Sequence, residues 1–155
     1  MKKTWILIAD AHRARCFERH APDQSLTELA DFVLPQKNLQ QAASGGDLTG
    51  AAGKGHGRSG HAGTQFEPHT EAQDKDRASF ARQLAEYLNQ AVSQHKCPAL
   101  VLIATAPMLG ELRPLLSTSA HALLQRSVVS DLTHFVGPEL KARVTHALEL
   151  PQGQA

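Results

Sequence analysis

Two short stretches decide how this chain folds: Trp5-Ile6-Leu7-Ile8-Ala9 near its start, and Ala99-Leu100-Val101-Leu102-Ile103-Ala104 further along. Each is a continuous apolar run, the pattern of a strand covered on both faces by helices rather than wetted on one. They are expected side by side at the centre of a sheet. Between them, Ala14 to Arg19 and Leu26 to Leu34 read as two more strands, joined by turns at Asp10-Ala11-His12-Arg13 and Ala21-Pro22-Asp23-Gln24. Turns that short impose an antiparallel meander.

From Asp74 to His95 the spacing becomes helical. Phe80, Leu84 and Leu88, with Ala81, Ala85 and Val92, form an apolar stripe beside Arg82, Glu86 and Gln90, and Pro98 closes the segment. A helix of that length is a sufficient crossover to lay the Ala99 strand parallel to the first, on the side away from the meander. A second helix is expected from Pro107 to about Leu116, a shorter helical segment from Ser119 to Gln125, a strand from Ser127 to Leu132 and a last helix from Pro138 to Leu148. Pro107 and Pro138 suit the first turn of a helix. The result is an α/β, three-layer fold with a mixed five-stranded sheet of order 3-2-1-4-5, ribonuclease-H-like, with helices on both faces.

Residues 35–73 have no sustained period and hold Gly45, Gly46, Gly50, Gly53, Gly55, Gly57, Gly60 and Gly63. Glycine adds backbone entropy that few contacts there could offset, so this stretch is expected as a flexible insertion in a single domain spanning 1–150, with a disordered tail at 151–155. The length of 155 residues allows one core and no second domain. With 41% hydrophobic but only 5% aromatic residues, that core is aliphatic.

A formal net charge of +1 argues against a protein that coats nucleic acid, and no DNA partner is expected. Met1-Lys2-Lys3 precedes an apolar run too short for a signal peptide, and no stretch reaches the roughly 20 apolar residues of a membrane span. A cytoplasmic protein without membrane contact is expected. Cys16 and Cys97 are read as reduced thiols, and Cys16, inside a predicted strand, as a buried structural one.

Among motifs, Gly50-Ala51-Ala52-Gly53-Lys54-Gly55 invites comparison with a phosphate-binding P-loop and fails it. Leu48 stands where the first glycine is required, and Gly55 follows the lysine instead of Ser or Thr. His56, His61 and His69 fit no closed metal spacing, so neither metal nor cofactor is expected. Lys54 and Arg58 are the only charged residues between Leu48 and Phe66. A cationic glycine-rich loop of this kind can follow a phosphate backbone. Arg13, Arg15, Lys54, His56, Arg58 and His61 are therefore the RNA-binding candidates. No catalytic residue is assigned: no Gly-x-Ser-x-Gly elbow is present, and a two-cation nuclease would need carboxylates converging at the sheet centre. Asp10, Glu111 and Asp131 are the candidates for that role, but the fourth strand ends Ala104-Thr105-Ala106 without one. Asp10 is expected instead to cap its own turn.

Trp5 to Asp10 followed by Ala14-Arg15, then Phe66-Glu67-Pro68 leading into Phe80-Ala81-Arg82-Gln83-Leu84-Ala85, then Leu109-Gly110-Glu111-Leu112-Arg113 and Asp131-Leu132-Thr133-His134 occur in that order. With these pieces the chain resembles, over nearly its whole length, the bacterial proteins required for attachment to host cells. That family is distantly similar to the middle domain of archaeal and eukaryotic translation release factors. The resemblance marks Asp10, Glu111, Arg113, Asp131 and His134 as family-motif positions and implies the same sheet order. In release factors, the place after the third strand carries Gly-Gly-Gln, which positions water against peptidyl-tRNA. Here that region has Gly45-Gly46-Asp47 and Gly63-Thr64-Gln65, and Asp47 would bring negative charge to a phosphate-rich centre. What the resemblance implies is thus a non-enzymatic binding module, with RNA or the ribosome as partner of the basic loop. The alternatives are a metal-dependent nuclease, a vestigial peptidyl-tRNA hydrolase, and a protein-interaction domain that forms a homo-oligomer through the Leu26 to Leu34 edge.

Overall fold

The computed structural model describes residues 3–34 and 62–150, with side chains of the second stretch from residue 71 onward. In chain order the elements are β1 (Lys3–Ala9), β2 (Arg13–His20), β3 (Ser25–Val33), α1 (Ala62–Ser93), β4 (Leu100–Ala104), α2 (Ala106–Leu112), a 3₁₀ turn (Arg113–Leu115), α3 (Thr118–Leu123), β5 (Leu124–Val129) and α4 (Gly137–Glu149). The sheet order is β3-β2-β1-β4-β5, the mixed arrangement expected from the sequence.

β1 pairs antiparallel with β2 and parallel with β4, with Leu7 opposite both Cys16 and Leu102. Because side chains alternate along a strand, each apolar run feeds two cores. Trp5, Leu7 and Ala9 join Leu100, Leu102 and Ala104 under α1, α2 and α3, where Phe80, Leu84 and Leu88 of α1 fill the layer. Ile6, Ile8, Val101 and Ile103 face the other way and pack against Leu140 and Val144 of α4. An all-apolar strand is what this double burial requires. Among the described residues, one face therefore carries three helices and the other carries one.

Two element boundaries differ from the sequence reading. The long helix begins at Ala62, not Asp74, so the insertion 35–73 ends in helix. Gly63 and Pro68 are helix breakers that conceal this start from a periodicity argument. Once Phe80 to Val92 are anchored in the core, adding turns ahead of them costs little, since propagation is cheap after nucleation. The fifth strand runs Leu124–Val129 instead of Ser127 to Leu132. Leu123 and Leu124 both pack against the larger core, and the switch from helix to strand falls between them, where hydropathy does not change. The tail 151–155 and the insertion as far as residue 61 lie outside the described residues.

Both edge strands carry an extra residue: Leu29 in β3, between the pairs Phe17–Glu28 and Cys16–Ala30, and Gln125 in β5, between Leu100–Leu124 and Val101–Arg126. Bulges at sheet edges increase twist and interrupt the row of free backbone groups. Among the described residues, no helix is long and apolar enough to cross a membrane.

Candidate functional site

Parallel strands β1, β4 and β5 end together at Ala9, Ala104 and Val129, and ligand crevices of α/β sheets open at the carboxyl ends of such strands. Two backbone bonds tie the exits: Thr105 N–H donates to the Ala9 carbonyl at 3.2 Å, and Ser130 N–H to that of Ala104 at 3.0 Å. The chain then delivers Asp10 from β1 and the Asp131-Leu132-Thr133-His134 segment from the connection after β5 to one place.

Asp10 does cap its turn. Its Oδ1 accepts the backbone N–H groups of His12 at 2.8 Å and Arg13 at 2.7 Å, the self-bonding geometry that makes Asp a turn residue. Its Oδ2 accepts the Thr133 hydroxyl at 2.8 Å. Burial alone pushes the Asp10 carboxyl up, but the His12 N–H, the Thr133 hydroxyl, the Arg13 N–H and the nearby His12 imidazole outweigh it, holding the carboxyl below its ordinary range.

Thr133 is fully buried, and its hydroxyl also lies 3.2 Å from Asp131 Oδ1. A hydroxyl has one proton to donate, so two carboxylates converge on a single donor. His134 Nε2 stands 3.9 Å from Asp10 Oδ2 on a side chain that is 75% exposed. One ligand atom each from Asp10, Asp131 and His134 lies within 4.8 Å of the others. Two carboxylates and an imidazole are a donor set that suits Mn²⁺, Fe²⁺ or Zn²⁺.

The other sequence candidates fall elsewhere. Glu111, on α2, reaches Arg77 of α1 at 3.6 Å and is not in the cluster. Arg113 is exposed on the 3₁₀ turn, where its carbonyl accepts from the His121 ring at 2.8 Å. Arg13 pairs with Asp31 across β2 and β3 at 3.2 Å, both side chains half exposed. Arg15 is almost wholly buried: it forks onto Glu28 at 3.1 and 3.3 Å and donates to the Phe135 carbonyl at 2.8 Å. A guanidinium so engaged has no face left for a phosphate. Lys54, His56, Arg58 and His61 lie outside the described residues. Sequence reasoning quoted Thr133 within a motif but gave it no role; its place two residues after Asp131 in a short polar connection was the only signal.

Sheet order and cluster together define a class: a ribonuclease-H-like α/β domain with polar and acidic groups gathered where its parallel strands end. Within that class the chain belongs to the family described as "Protein required for attachment to host cells", whose family model matches residues 5–144. No curated protein matches it. Among solved structures it is similar to the type II variant of the Aquifex aeolicus Ppx/GppA phosphatase, at 10% identity and a TM-score of 0.35, with 83% of this chain and 36% of that one covered. The chain thus spans roughly a third of that phosphatase's length.

Proposed function

We propose that this member of the host-attachment family is a non-enzymatic binding module of the cytoplasm that docks on RNA, free or in the ribosome, through the cationic glycine-rich stretch ahead of α1. The observation that carries the reading is the position of α1. Among the described side chains of α1, Glu71 to Lys75 are all exposed and the buried stripe begins at Phe80; the helix itself starts at Ala62. At 1.5 Å per residue, the stretch from Glu71 to Ser79 puts roughly 13 Å of helix ahead of the part held by the core. In sequence, the glycine-rich stretch with Lys54 and Arg58 leads directly into this helix. Its place after β3 and before the long helix is also that of the functional loop in release-factor middle domains, which the sequence resembles.

Fluorescence anisotropy with a generic single-stranded RNA at several salt concentrations tests this, together with ribosome co-sedimentation. Replacing both Lys54 and Arg58 with Ala should lower the slope of log affinity against log salt by about 1.4, roughly 0.7 per lost phosphate contact on a single strand. Equal binding and equal slope for wild type and double variant would remove the stretch from the mechanism.

The convergence of Asp10, Asp131 and His134 favours a second reading, a divalent-cation site serving phosphoryl chemistry. Calorimetric titration with Mn²⁺, and incubation of RNA with protein in Mg²⁺ or Mn²⁺, separate the two. Saturable Mn²⁺ binding and RNA cleavage, both lost in Asp131→Asn, would replace the non-enzymatic reading with this one.

A further inference from the structure

α4 divides its face of the sheet into two grooves. The one toward β2 and β3 is lined by Phe17, Leu26 and Leu140 and contains Arg15, whose charge Glu28 already meets. The one toward β5 has a volume of about 650 Å³, inside the roughly 300–1,000 Å³ range of small-molecule sites. Val128, Leu132, Ala147 and Leu150 make its walls apolar, while Arg143 brings a cation and His146 an imidazole to it. No carboxylate is among its described lining residues.

The guanidinium of Arg143 is held in place while half of its side chain stays exposed. Its central carbon lies 4.0 Å from the centre of the Phe135 ring. Its carboxylate partner among the described residues, Glu139 at 3.2 Å, is more than half exposed, so the pair is worth little in water and can be exchanged. A second cation stands at the end of the groove, where Arg126 of β5 donates to the Leu150 carbonyl. The nearest acid on the last turn of α4, Glu149, interacts instead with Arg19 of β2, on the other side of the helix. An aliphatic trough with a positive rim complements one ligand chemistry, a hydrocarbon chain ending in an anion that can face a guanidinium fork.

We propose that this groove binds a small free aliphatic carboxylate, its chain on Val128, Leu132 and Ala147 and its carboxylate at Arg143. The inference is independent of RNA docking and of the Asp10 cluster. Binding of hexanoate, octanoate and decanoate, measured by calorimetry and by NMR shifts at Val128, Leu132 and Ala147, tests it. Affinity should rise about fourfold per added methylene, the factor that corresponds to burying one such group. Arg143→Gln should weaken decanoate by about tenfold, the loss of one charge-assisted contact, and leave decanol unchanged. Ala142→Phe places a ring at the groove from an exposed helix position and should abolish binding of both with the melting temperature intact. The proposal is overturned if no acid saturates the protein at millimolar concentration, or if Arg143→Gln weakens decanol as much as decanoate. It is equally overturned if the groove is occupied by a second copy of the chain, seen as a concentration-dependent dimer that Ala142→Phe dissociates.

Discussion

Arg15 tests the structure and its functional reading together. Replacing it with Met keeps the aliphatic stem and removes the guanidinium. Three things are lost. The fork onto Glu28, whose side chain is 39% exposed, is discounted by solvent to about 1 kcal/mol. The bond to the Phe135 carbonyl leaves a part-buried acceptor unpaired, at a cost of about 1–2 kcal/mol. The contact of the guanidinium with the Phe17 ring, at 4.9 Å, contributes about 0.5–1 kcal/mol. Arg15→Met should therefore destabilise the domain by about 3 kcal/mol, which for a domain of this size lowers Tm by roughly 6–12 °C. Urea unfolding of Arg15→Met, Glu28→Gln and the double variant gives the coupling between the pair, expected at about 1 kcal/mol. RNA affinity and its salt slope should not change while the variant is folded, because the buried fork offers nothing to phosphate. A destabilisation below about 0.5 kcal/mol, the level of an ordinary surface substitution, would refute the structural role. A salt slope reduced by about one contact would return Arg15 to the RNA-binding set.

Three further outcomes follow from the same geometry. Leu102 is fully buried between Leu7 and Ser127, so Leu102→Asp should abolish soluble folding by burying an unpaired charge; a soluble variant with native melting would refute the central position of β4. Asp10 has its folded pKa held below the ordinary value, so the unfolded chain binds more protons and stability falls as pH drops through the carboxylate range. Asp10→Asn should flatten that decline between about pH 5 and 3 in urea unfolding, and an unchanged acid limb would show the carboxylate contributes nothing. Burial pushes the Cys16 thiol up to about 12, with Cys97 nearby adding to the effect, and pushes Cys97 up to about 11. Both should ignore a thiol reagent at pH 8 until the protein unfolds, and native labelling at the rate of a free thiol would contradict their burial.

The fold was legible because its two central strands are apolar on both faces, and a run such as Leu100 to Ala104 has few other stable uses. Topology then followed from connection lengths: turns of a few residues for the meander, a long helix for the crossover. The end of α3 and the start of β5 were not legible, since Leu123 and Leu124 serve helix and strand alike and only pairing with Leu100 decides between them. The head of α1 was hidden by Gly63 and Pro68, residues whose local cost is outweighed by cooperative extension from the core. Of the site, Asp10 could be read as a turn cap from its place after β1. Asp131 could be offered as its partner but not chosen over Glu111, nor His134 placed beside them, because more than a hundred residues separate them from Asp10 and only the parallel pairing of β4 and β5 returns the chain to the exit of β1. Arg15 looked available as a cation because sequence shows charge but not burial; its partner Glu28 sits across the β2–β3 pair with the bulge between them.

The connection between β5 and α4 ties these features together by an alternation of side chains. Ser130 and Leu132 turn toward the groove, whereas Asp131 and Thr133 turn toward Asp10. Phe135 then contributes in two directions, with its carbonyl accepting from Arg15 and its ring lying against Arg143. One short segment thus sets the position of the acidic cluster, the cation at the groove and the buried ion pair of β2 and β3. Because its Thr133 hydroxyl is buried and shared between two carboxylates, a change of charge at the cluster alters the hydrogen bond that holds the segment. A ligand bound at the cluster and one bound in the groove would therefore act on the same few residues, and coupling between them would need no motion of the sheet.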